Sequence, residues 1–490
     1  MPKTLLPYKY EEAKTSTALT SFAGLPVYLD FLRGLQFDRV LRHELDTAAH
    51  AACLWKPSTI VTSLLLLHLA GGDCVDDLQR LQSDLGMSRL LEKFQEVGLS
   101  VPALRQLREL KRRQAAGSVP AASTVFRFLK QDGGTGLEER GQGKAYIPPT
   151  GQTAEQLCAC NKHLISALCA NRAYDSVTLD IDATLIETHK SDALYGYKGF
   201  SAYQPMNVWW AEQRVVLYTE FRDGNVPANY ALQPVLERAL ACVPKPDTSV
   251  FLRSDAAGYQ IGLLKFCDDN KIGFAIGCPI SQEFRKAVSE LPVSAWGKLD
   301  AKRQYAEVCF VPSSIATTKK QKYAFRYLVT REFIQEQLTL LDVIEPEYPF
   351  SVIDLNGNRY KIHALVSNRD IAASELLKWY YNRCGNSEEA HGILKNDLAG
   401  GTLPCNHYHA NANWWWVAVI AHNIHSAFKQ VCCDASWQKS RLKRMRFRII
   451  SIAGLVVERG RSLFVRLNAD GYALLSGIRR TICGLRPCPG

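Results

Sequence analysis

The chain has 490 residues, of which 47% are hydrophobic, and its 59 Lys and Arg against 48 Asp and Glu give a formal net charge of +11. This composition supports a large buried core and two to four domains, and the surplus of positive charge favours a polyanionic partner. The fifteen scattered Cys and the charged N-terminus indicate a cytoplasmic protein rather than a secreted disulfide framework. The apolar runs at Ile60 and Trp414 fall short of the roughly 20 residues that cross a bilayer, so we expect no membrane segment.

Residues 1–145 are predicted to form a helical N-terminal domain, because apolar residues recur there at helical spacing in several segments. One more helix is expected at 120–130, where Ser123 or Thr124 could cap it. Five basic residues come shortly before it: Arg105, Arg108, Lys111, Arg112 and Arg113. They indicate either a solvated helix face or an arm that contacts DNA, and the sequence leaves both interpretations open. The Gly- and Pro-rich stretch from Gln131 is predicted to be a loop.

Residues 172–280 are predicted to form an α/β core. The segment YDSVTLDIDATLIETHK (174–190) alternates apolar and polar residues, which predicts a strand with one apolar face. A hairpin follows around 212–214, and then come a helix from Asn229, a strand that ends at Asp255, another helix and another strand. The order strand, strand, strand, helix, strand, helix, strand is typical of a ribonuclease H-like core, a mixed β-sheet flanked by helices.

The rest of the chain is predicted to interrupt this core and then complete it. Residues 281–366 are mostly strand-like and predict a β-rich insertion, whereas 367–432 return to helix as the second part of the core. A single long helix is expected over 374–397, and a Trp-rich helix follows, in which Trp414–Trp416 indicate a core anchor. Residues 433–490 are predicted to be a basic C-terminal tail, with five cations within eight residues: Arg441, Lys443, Arg444, Arg446 and Arg448.

Asp180 and Asp182 lie on the polar face of the first predicted strand with no Lys or Arg beside them. Asp182, Asp255 and Glu388 stand out as three unpaired acidic residues of the predicted core. In a ribonuclease H-like sheet the first and fourth strands are neighbours, and a helix after the insertion can cover their ends. Carboxylates brought together raise one another's pKa and need a counter-ion. Magnesium prefers oxygen ligands, and two such ions can grip the attacking and leaving oxygens of a phosphodiester. The alternative for each acid alone is an ordinary turn or surface residue.

Three long blocks of the sequence resemble the bacterial insertion-sequence transposases of DDE group 1 (the insertion-sequence 1380 family). The blocks are LDIDATLIETHK with the following YGYKGFSAYQPMNVWWAEQ, then FLRSDAAGYQ, then RCGNSEEAHGILKNDLAGGTLPCNHYHANANWWW. They occur in the order of that family and are separated by gaps that suit a core with an insertion. The resemblance implies a ribonuclease H-like catalytic core, preceded by a DNA-binding domain at 1–145.

By this resemblance the catalytic, metal-binding triad is Asp182, Asp255 and Glu388. Asp180, on the same face of the strand as Asp182, and Glu389 stay open as alternatives. Residues seven apart on a helix share a face, so Tyr381 and Lys395 are predicted to contact DNA phosphates beside Glu388. The family has an Arg four residues before the Glu, where this chain has Cys384, so Arg383 is the candidate for that DNA contact. The basic tail supplies the remaining predicted DNA contacts.

The resemblance also implies the reaction: metal-dependent cleavage of double-stranded DNA at terminal inverted repeats, followed by transfer of the 3′-hydroxyl end into target DNA. Two magnesium ions per site are expected, with manganese able to substitute, and a homodimer is expected on DNA. A catalytically inactive DNA-binding relative and a metal-dependent nuclease of the same fold are the alternatives. A glycosidase also uses paired carboxylates but would leave the basic tail unexplained.

Overall fold

The computed structural model describes residues 18–487 apart from 48–52, 246, 313–322, 324, 335–347, 349, 356, 384–385 and 461. The helices of this described part are α1 Pro26–Gly34, α2 Phe37–Leu45, α3 Pro57–Ala70, α4 Leu78–Ser83, α5 Leu85–Glu96, α6 Val101–Arg113, α7 Ala122–Leu129, α8 Gln152–Asn171, α9 Leu232–Leu240, α10 Ile261–Asp269, α11 Gln282–Ser289, α12 Ala373–Tyr381, α13 Asn386–Gly392, α14 Tyr408–Cys432, α15 Leu442–Met445 and α16 Ala469–Cys483. The strands are β1 Leu19–Thr20, β2 Ser176–Ala183, β3 Ile186–Glu187, β4 Leu194–Tyr195, β5 Ser201–Tyr203, β6 Met206–Trp210, β7 Val215–Glu220, β8 Ser249–Ser254, β9 Gly273–Cys278, β10 Gly297–Lys298, β11 Arg303–Val308, β12 Arg326–Phe333, β13 Val352–Leu355, β14 Asn358–Ser367, β15 Gly454–Arg459 and β16 Ser462–Arg466.

The chain divides into two compact units, and neither is one continuous stretch of sequence. The first unit consists of 1–135, 150–172 and 393–490, and the second of 136–149 and 173–392. The basic C-terminal segment therefore belongs to the same unit as the N-terminal helices. The second unit contains the three predicted catalytic acids.

A ten-stranded sheet organises the second unit, with the strand order β10-β11-β12-β14-β9-β8-β2-β6-β7 and β13 attached to β14. Strands β2, β8 and β9 run parallel to one another, whereas β6 pairs antiparallel with β2, and β7 pairs antiparallel with β6. The first and fourth strands of the core, β2 and β8, are neighbours, as the sequence predicts for a ribonuclease H-like sheet. The mixed α/β fold class is confirmed.

The strands of the predicted insertion extend this same sheet. Strand β14 pairs antiparallel with β9 at the edge of the core, and β12, β11 and β10 continue outward from it. Helix α12 packs its apolar face on this part of the sheet, in a buried cluster of Ala275, Leu299, Leu328, Leu365, Leu376, Leu377 and Tyr380. Burial of side chains of this size stabilises the fold by about 1.5 to 3 kcal/mol each, which fixes α12 on the sheet.

A second, three-stranded sheet with the order β3-β5-β4 lies between β2 and β6 in the sequence. The loop at 136–149 belongs to the same unit and is tied to this small sheet by Arg140. Its guanidinium donates two hydrogen bonds to Asp223, at 2.7 and 2.8 Å, and one at 2.8 Å to Asp192. The Arg140 side chain is only 8% exposed, so this ion pair is an internal clamp.

The first unit is built around α14, which packs against α3, α7 and α8. Trp414, Trp415 and Trp416 are all buried, which confirms that these residues anchor a core. The indole Nε1 of Trp414 donates to the carbonyl of Ala399 at 2.8 Å, which satisfies its polar atom. Strands β1, β15 and β16 form a three-stranded antiparallel sheet in this unit.

In the described part of the chain, no single helix has the length and apolar composition to cross a membrane. Two helical segments, Pro57–Ala70 and Val75–Ser83, reach that length only when taken together across a bend of 92°.

Candidate active site

Asp182 and Asp255 lie at the ends of two neighbouring parallel strands. Strands β2 and β8 are paired with Ile181 opposite Ser254, so the next residue along each strand is one of the two acids. The carboxyl ends of parallel strands meet at one edge of a sheet, and this edge therefore carries both carboxylates. The register brings together two residues that are 73 positions apart in the sequence.

The Asp182 carboxyl titrates under the influence of both other predicted acids. Its pKa is raised to about 6: burial is the main cause, the Arg383 guanidinium opposes it, and the charges of Asp255 and Glu388 add to it. The Asp182 side chain is 24% exposed, and an Arg383 Nη1 lies 3.7 Å from its Oδ2. A carboxyl whose pKa is raised by burial and by neighbouring negative charges is typical of a site that binds a cation.

Asp255 also closes the turn that follows β8. Its Oδ1 accepts a hydrogen bond from the Ala257 N–H at 3.0 Å, so it caps the short 3₁₀ turn Ala256–Gly258. A Cβ added at Gly277 in β9 would lie 2.9 Å from the Ala256 nitrogen, which shows how closely this turn packs on the next strand. The turn thus leaves no room for a side chain at Gly277, and the side chain of Asp255 remains exposed.

Glu388 lies in the first turn of α13, and the single long helix predicted over 374–397 is wrong. Helix α12 ends at Tyr381, a turn follows, and α13 begins at Asn386. Glu388 and Glu389 are both exposed, while the preceding Ser387 is buried. The choice between the two glutamates stays a prediction, although the charge of Glu388 acts on Asp182. Cys384, which occupies the Arg position of the family, lies outside the described residues.

The break after α12 places Arg383 beside the acids. Its side chain is 13% exposed and its Nε is buried without a hydrogen-bond partner. The contact with Asp182 at 3.7 Å is long, so the guanidinium holds the carboxylate loosely. Arg383 therefore supplies positive charge within the site itself.

Asp180 is paired with a cation, which contradicts the expectation that the acids of this strand lack one. Arg253 lies directly across from Asp180 on β8, and donates from Nε at 2.6 Å and from an Nη at 2.8 Å. Both side chains are buried, and the other Nη of Arg253 donates to the Trp379 carbonyl at 2.7 Å. Because both Asp180 oxygens are engaged, Asp180 is poorly suited to bind a metal. Thr178, on the same face of β2, is buried as well, since the strand is central in the sheet.

The three acids supply the oxygen ligands that a divalent metal prefers, but they are not arranged around one ion-binding position. Carboxylate oxygens from Asp182, Asp255 and Glu388 are the ligands that magnesium prefers, and their mutual repulsion would be relieved by a cation. Among the described residues, however, no three His, Cys, Asp or Glu side chains are close enough to share one ion.

Tyr381 and Lys395 lie on separate helical segments, so their spacing of fourteen residues does not define one helix face. The Tyr381 hydroxyl lies 3.0 Å from Thr330 Oγ1, and the Arg303 guanidinium stands 4.3 Å from the Tyr381 ring centre. Lys395 is part of a π-helical segment, Ile393–Asp397, where the α-helical repeat that underlies the prediction does not apply. Neither placement tests a contact with DNA.

Four of the five predicted DNA-contacting cations in the basic C-terminal segment are exposed, whereas the fifth, Arg446, binds carbonyls of its own unit. Arg446 donates hydrogen bonds to the carbonyls of His68 at 2.6 Å, Leu69 at 2.9 Å and Asp397. Its predicted contact with DNA does not fit this placement, because the guanidinium joins three segments of its own unit. The other predicted contacts are exposed: Arg441, Lys443, Arg444 and Arg448.

Most cations of the predicted basic arm are matched by acids. In α6, Arg108 binds Glu96 at 2.7 Å, and Arg112 and Arg113 both bind Glu109 at 2.7 Å. Lys111 lies 3.9 Å from Glu92. These contacts favour the interpretation of a solvated helix face with its own counter-charges.

The family model described as "Transposase DDE domain group 1" matches residues 11–473 of this chain. No curated protein matches the sequence significantly. Among solved structures, the chain is similar to the piggyBac transposase in its cryo-EM synaptic complex with hairpin DNA. That similarity has a TM-score of 0.38 and 10% sequence identity, and it covers 87% of this chain and 79% of the other.

Proposed function

This chain belongs to the group 1 family of transposase DDE domains, and from that premise we propose that it cleaves DNA at the terminal inverted repeats of a bacterial insertion sequence and joins the freed 3′-hydroxyl end to target DNA. The proposal includes the insertion-sequence 1380 subfamily that the three sequence blocks indicate. It places the reaction in the bacterial cytoplasm, on double-stranded DNA.

One observation supports the proposal more than any other: the pKa of Asp182 is raised to about 6, with Asp255 and Glu388 among the charges that raise it. Asp182 and Asp255 end adjacent parallel strands, and Glu388 begins a helix that follows the sheet. Acids grouped at one edge of a sheet can bind metal ions, and these ions would in turn bind a phosphodiester of the DNA.

We assign Asp182, Asp255 and Glu388 as the residues that hold divalent ions, magnesium in the cell and manganese as a substitute. If they hold two such ions, the chemistry supplied there would be activation of the attacking oxygen and stabilisation of the leaving oxygen of a phosphodiester. Arg383 balances the charge of Asp182 until DNA and cations arrive. Asp180 and Arg253 act as positioning residues, because their ion pair fixes the register of β2 against β8.

DNA would be bound by exposed cations of the C-terminal segment, Arg441, Lys443, Arg444 and Arg448, together with Lys395, Tyr381 and the N-terminal helices. Each cation that neutralises a phosphate releases counter-ions, so this binding should weaken steeply with salt. Two ends must be joined in one reaction, and we therefore propose that the chain acts as a homodimer on DNA.

The test is cleavage of a labelled duplex that ends in the element's own inverted repeat, with magnesium and with EDTA. Asp182→Asn, Asp255→Asn and Glu388→Gln should each abolish nicking at the repeat boundary while binding to the duplex is retained. Glu389→Gln is the matched control for Glu388→Gln, because the two glutamates are adjacent and both exposed.

The outcomes separate the alternatives. A wild type that binds the repeat but never cuts would support an inactive DNA-binding relative. Cutting without preference for the repeat boundary would support a nuclease of the same fold. Cleavage that survives Glu388→Gln and is lost in Glu389→Gln would move the third acid by one residue.

A further inference from the structure

The hairpin between β4 and β5 ends in a tight turn that holds an aromatic and a basic residue at its tip. The turn spans Gly196–Gly199 and is closed by a hydrogen bond from the Gly199 N–H to the Gly196 carbonyl at 3.1 Å. Gly199 has a φ of +84°, a conformation that favours glycine. Tyr197 and Lys198 are the two central residues of this turn.

The fold itself does not require an aromatic residue at this tip. Tyr197 is 74% exposed, and Tyr195, on the strand that leads to it, is 55% exposed. The Lys198 ammonium lies 5.9 Å from the centre of the Tyr197 ring, so a cation and an exposed ring stand together. An exposed ring adds little to stability, whereas aromatic rings beside cations are the usual elements of a surface that stacks nucleobases.

Side chains of the loop at 136–149 hold the hairpin in place through hydrogen bonds. The Gln142 side-chain amide donates to the Tyr195 carbonyl at 3.0 Å, and its oxygen accepts from the Tyr195 N–H at 2.9 Å. Arg140, clamped between Asp192 and Asp223, holds the start of the hairpin to the loop at 136–149. The tip is therefore preorganised, which reduces the entropy lost when it binds a partner.

Chain topology puts this hairpin at the edge of the sheet that carries the acids. It is inserted between the carboxyl end of β2 and the amino end of the antiparallel strand β6. The amino end of β6 lies beside the carboxyl end of β2, because Met206 pairs with Ala183 in their antiparallel ladder. The parallel pairing of β2 with β8 puts Asp182 and Asp255 at this same edge. DNA held at the acids would thus be presented to the same edge as the tip.

We propose that Tyr197 stacks on an unpaired nucleobase next to the phosphodiester held at the acids, and that Lys198 neutralises an adjacent phosphate. The proposal rests on the proposed function, since it needs DNA at that edge of the sheet. A ring can stack only on a base that is not enclosed in a continuous duplex, so the tip should favour DNA with frayed or single-stranded ends.

The test measures binding alone, in EDTA, so that it does not depend on cleavage. The probes are a fluorescein-labelled duplex of about 20 base pairs with blunt ends and the same duplex with about three unpaired thymidines at one end. Wild type should prefer the probe with unpaired bases. Tyr197→Ala should weaken binding to that probe by about five- to 100-fold and to the blunt duplex far less.

Further variants distinguish stacking from other roles. Tyr197→Phe should bind within about twofold of wild type and Tyr197→Leu should behave like Tyr197→Ala, because stacking needs a ring and not a hydroxyl. Lys198→Ala should lower the slope of log affinity against log salt by about one. Tyr472→Ala is the matched control, because Tyr472 is 65% exposed in α16 and should not affect either probe. Equal melting temperatures would exclude loss of fold.

Loss of the preference for unpaired bases in Tyr197→Ala and Tyr197→Leu supports the proposal, even if no cleavage is ever observed. Equal binding of both probes by wild type and Tyr197→Ala overturns it, even if the acids prove catalytic. A variant that changes the oligomeric mass in sedimentation but not DNA affinity also overturns it, because the tip would then contact a second copy of the chain.

Discussion

Asp180 and Arg253 lie directly opposite each other on the parallel strands β2 and β8, and their buried side chains are joined by two hydrogen bonds of 2.6 and 2.8 Å. The pair sits one pleat behind Asp182 and Asp255, so it fixes the register that brings those acids side by side. Arg253 also donates a hydrogen bond to the Trp379 carbonyl, which joins α12 to the same pair of strands.

Removing one partner of this pair should destabilise the protein severely. Arg253→Met leaves the Asp180 carboxylate buried and unpaired, so we expect the free energy of unfolding to fall by about 3 to 5 kcal/mol. Urea unfolding followed by tryptophan fluorescence measures this change. The control is Asp354→Asn, which breaks the exposed pair with Arg359 and should cost less than about 1 kcal/mol. Similar losses in the two variants would contradict the structural role of the buried pair.

Asp182→Asn should stabilise the metal-free protein at neutral pH. The folded-state pKa of Asp182 is raised to about 6, mainly by burial, above an unfolded value of about 3.9. The folded state then binds more protons than the unfolded state between these values, so stability falls as the pH rises from about 4 to 6. At pH 7.5 the variant should gain about 1 to 3 kcal/mol, and the gain should vanish toward pH 4.

Urea unfolding in EDTA at the two pH values measures this effect, and magnesium provides a second readout. Added magnesium should stabilise the wild type more than Asp182→Asn, because the ion relieves the repulsion that the substitution removes. A variant that is less stable than wild type at both pH values would mean that Arg383 outweighs the burial of the carboxyl.

Gly277→Ala should impair cleavage by displacing Asp255. The new methyl group would lie 2.9 Å from the Ala256 nitrogen and 3.0 Å from the Asp255 carbonyl carbon, so the backbone of the turn must shift. A displacement on the order of 1 Å can cost up to about 100-fold in rate, which single-turnover cleavage of the repeat duplex would reveal. Gly262→Ala in α10 is the control, because its methyl group meets nothing within 4 Å. Equal rates in the two variants would argue against a role for the turn.

Arg446→Ala should destabilise the first unit and leave the salt dependence of DNA binding unchanged. It removes hydrogen bonds to three carbonyls, and we expect the free energy of unfolding to fall by about 2 to 5 kcal/mol in urea. Arg448→Ala, at an exposed position, should leave stability within about 0.5 kcal/mol and lower the salt slope of DNA binding by about one. A lower salt slope with unchanged stability in Arg446→Ala would instead mean that Arg446 contacts DNA.

The sequence predicted the parts of this fold that depend on local pattern. Alternation in 174–190 identified β2, and the later strand was predicted to end at Asp255, one residue beyond the observed end of β8 at Ser254. The neighbouring positions of the two acids then followed from the fold class. The partner of Asp180 could not be predicted in this way, because Arg253 is 73 residues distant and becomes its neighbour only through the parallel register.

The third acid illustrates a different limit. Helical periodicity extends smoothly through 374–397, yet the chain breaks after Tyr381 and becomes π-helical at Ile393. The break brings Arg383 within 3.7 Å of Asp182, which no face of one continuous helix would indicate. Similarly, Arg446 looks like its exposed neighbours in sequence, and only the carbonyls around it distinguish it.

The interleaving of the two units constrains the order in which a newly made chain can fold. The first unit needs residues 393–490, which are made after 173–392, and 173–392 can already form most of the second unit by then. At translation rates of about 5 to 20 residues per second, α8 waits roughly 13 to 52 seconds until its partner α14 is complete. During that interval its apolar face is available to chaperones. A product truncated before residue 393 would lack the core helix of the first unit, and would be a substrate for proteolysis rather than a competing inhibitor.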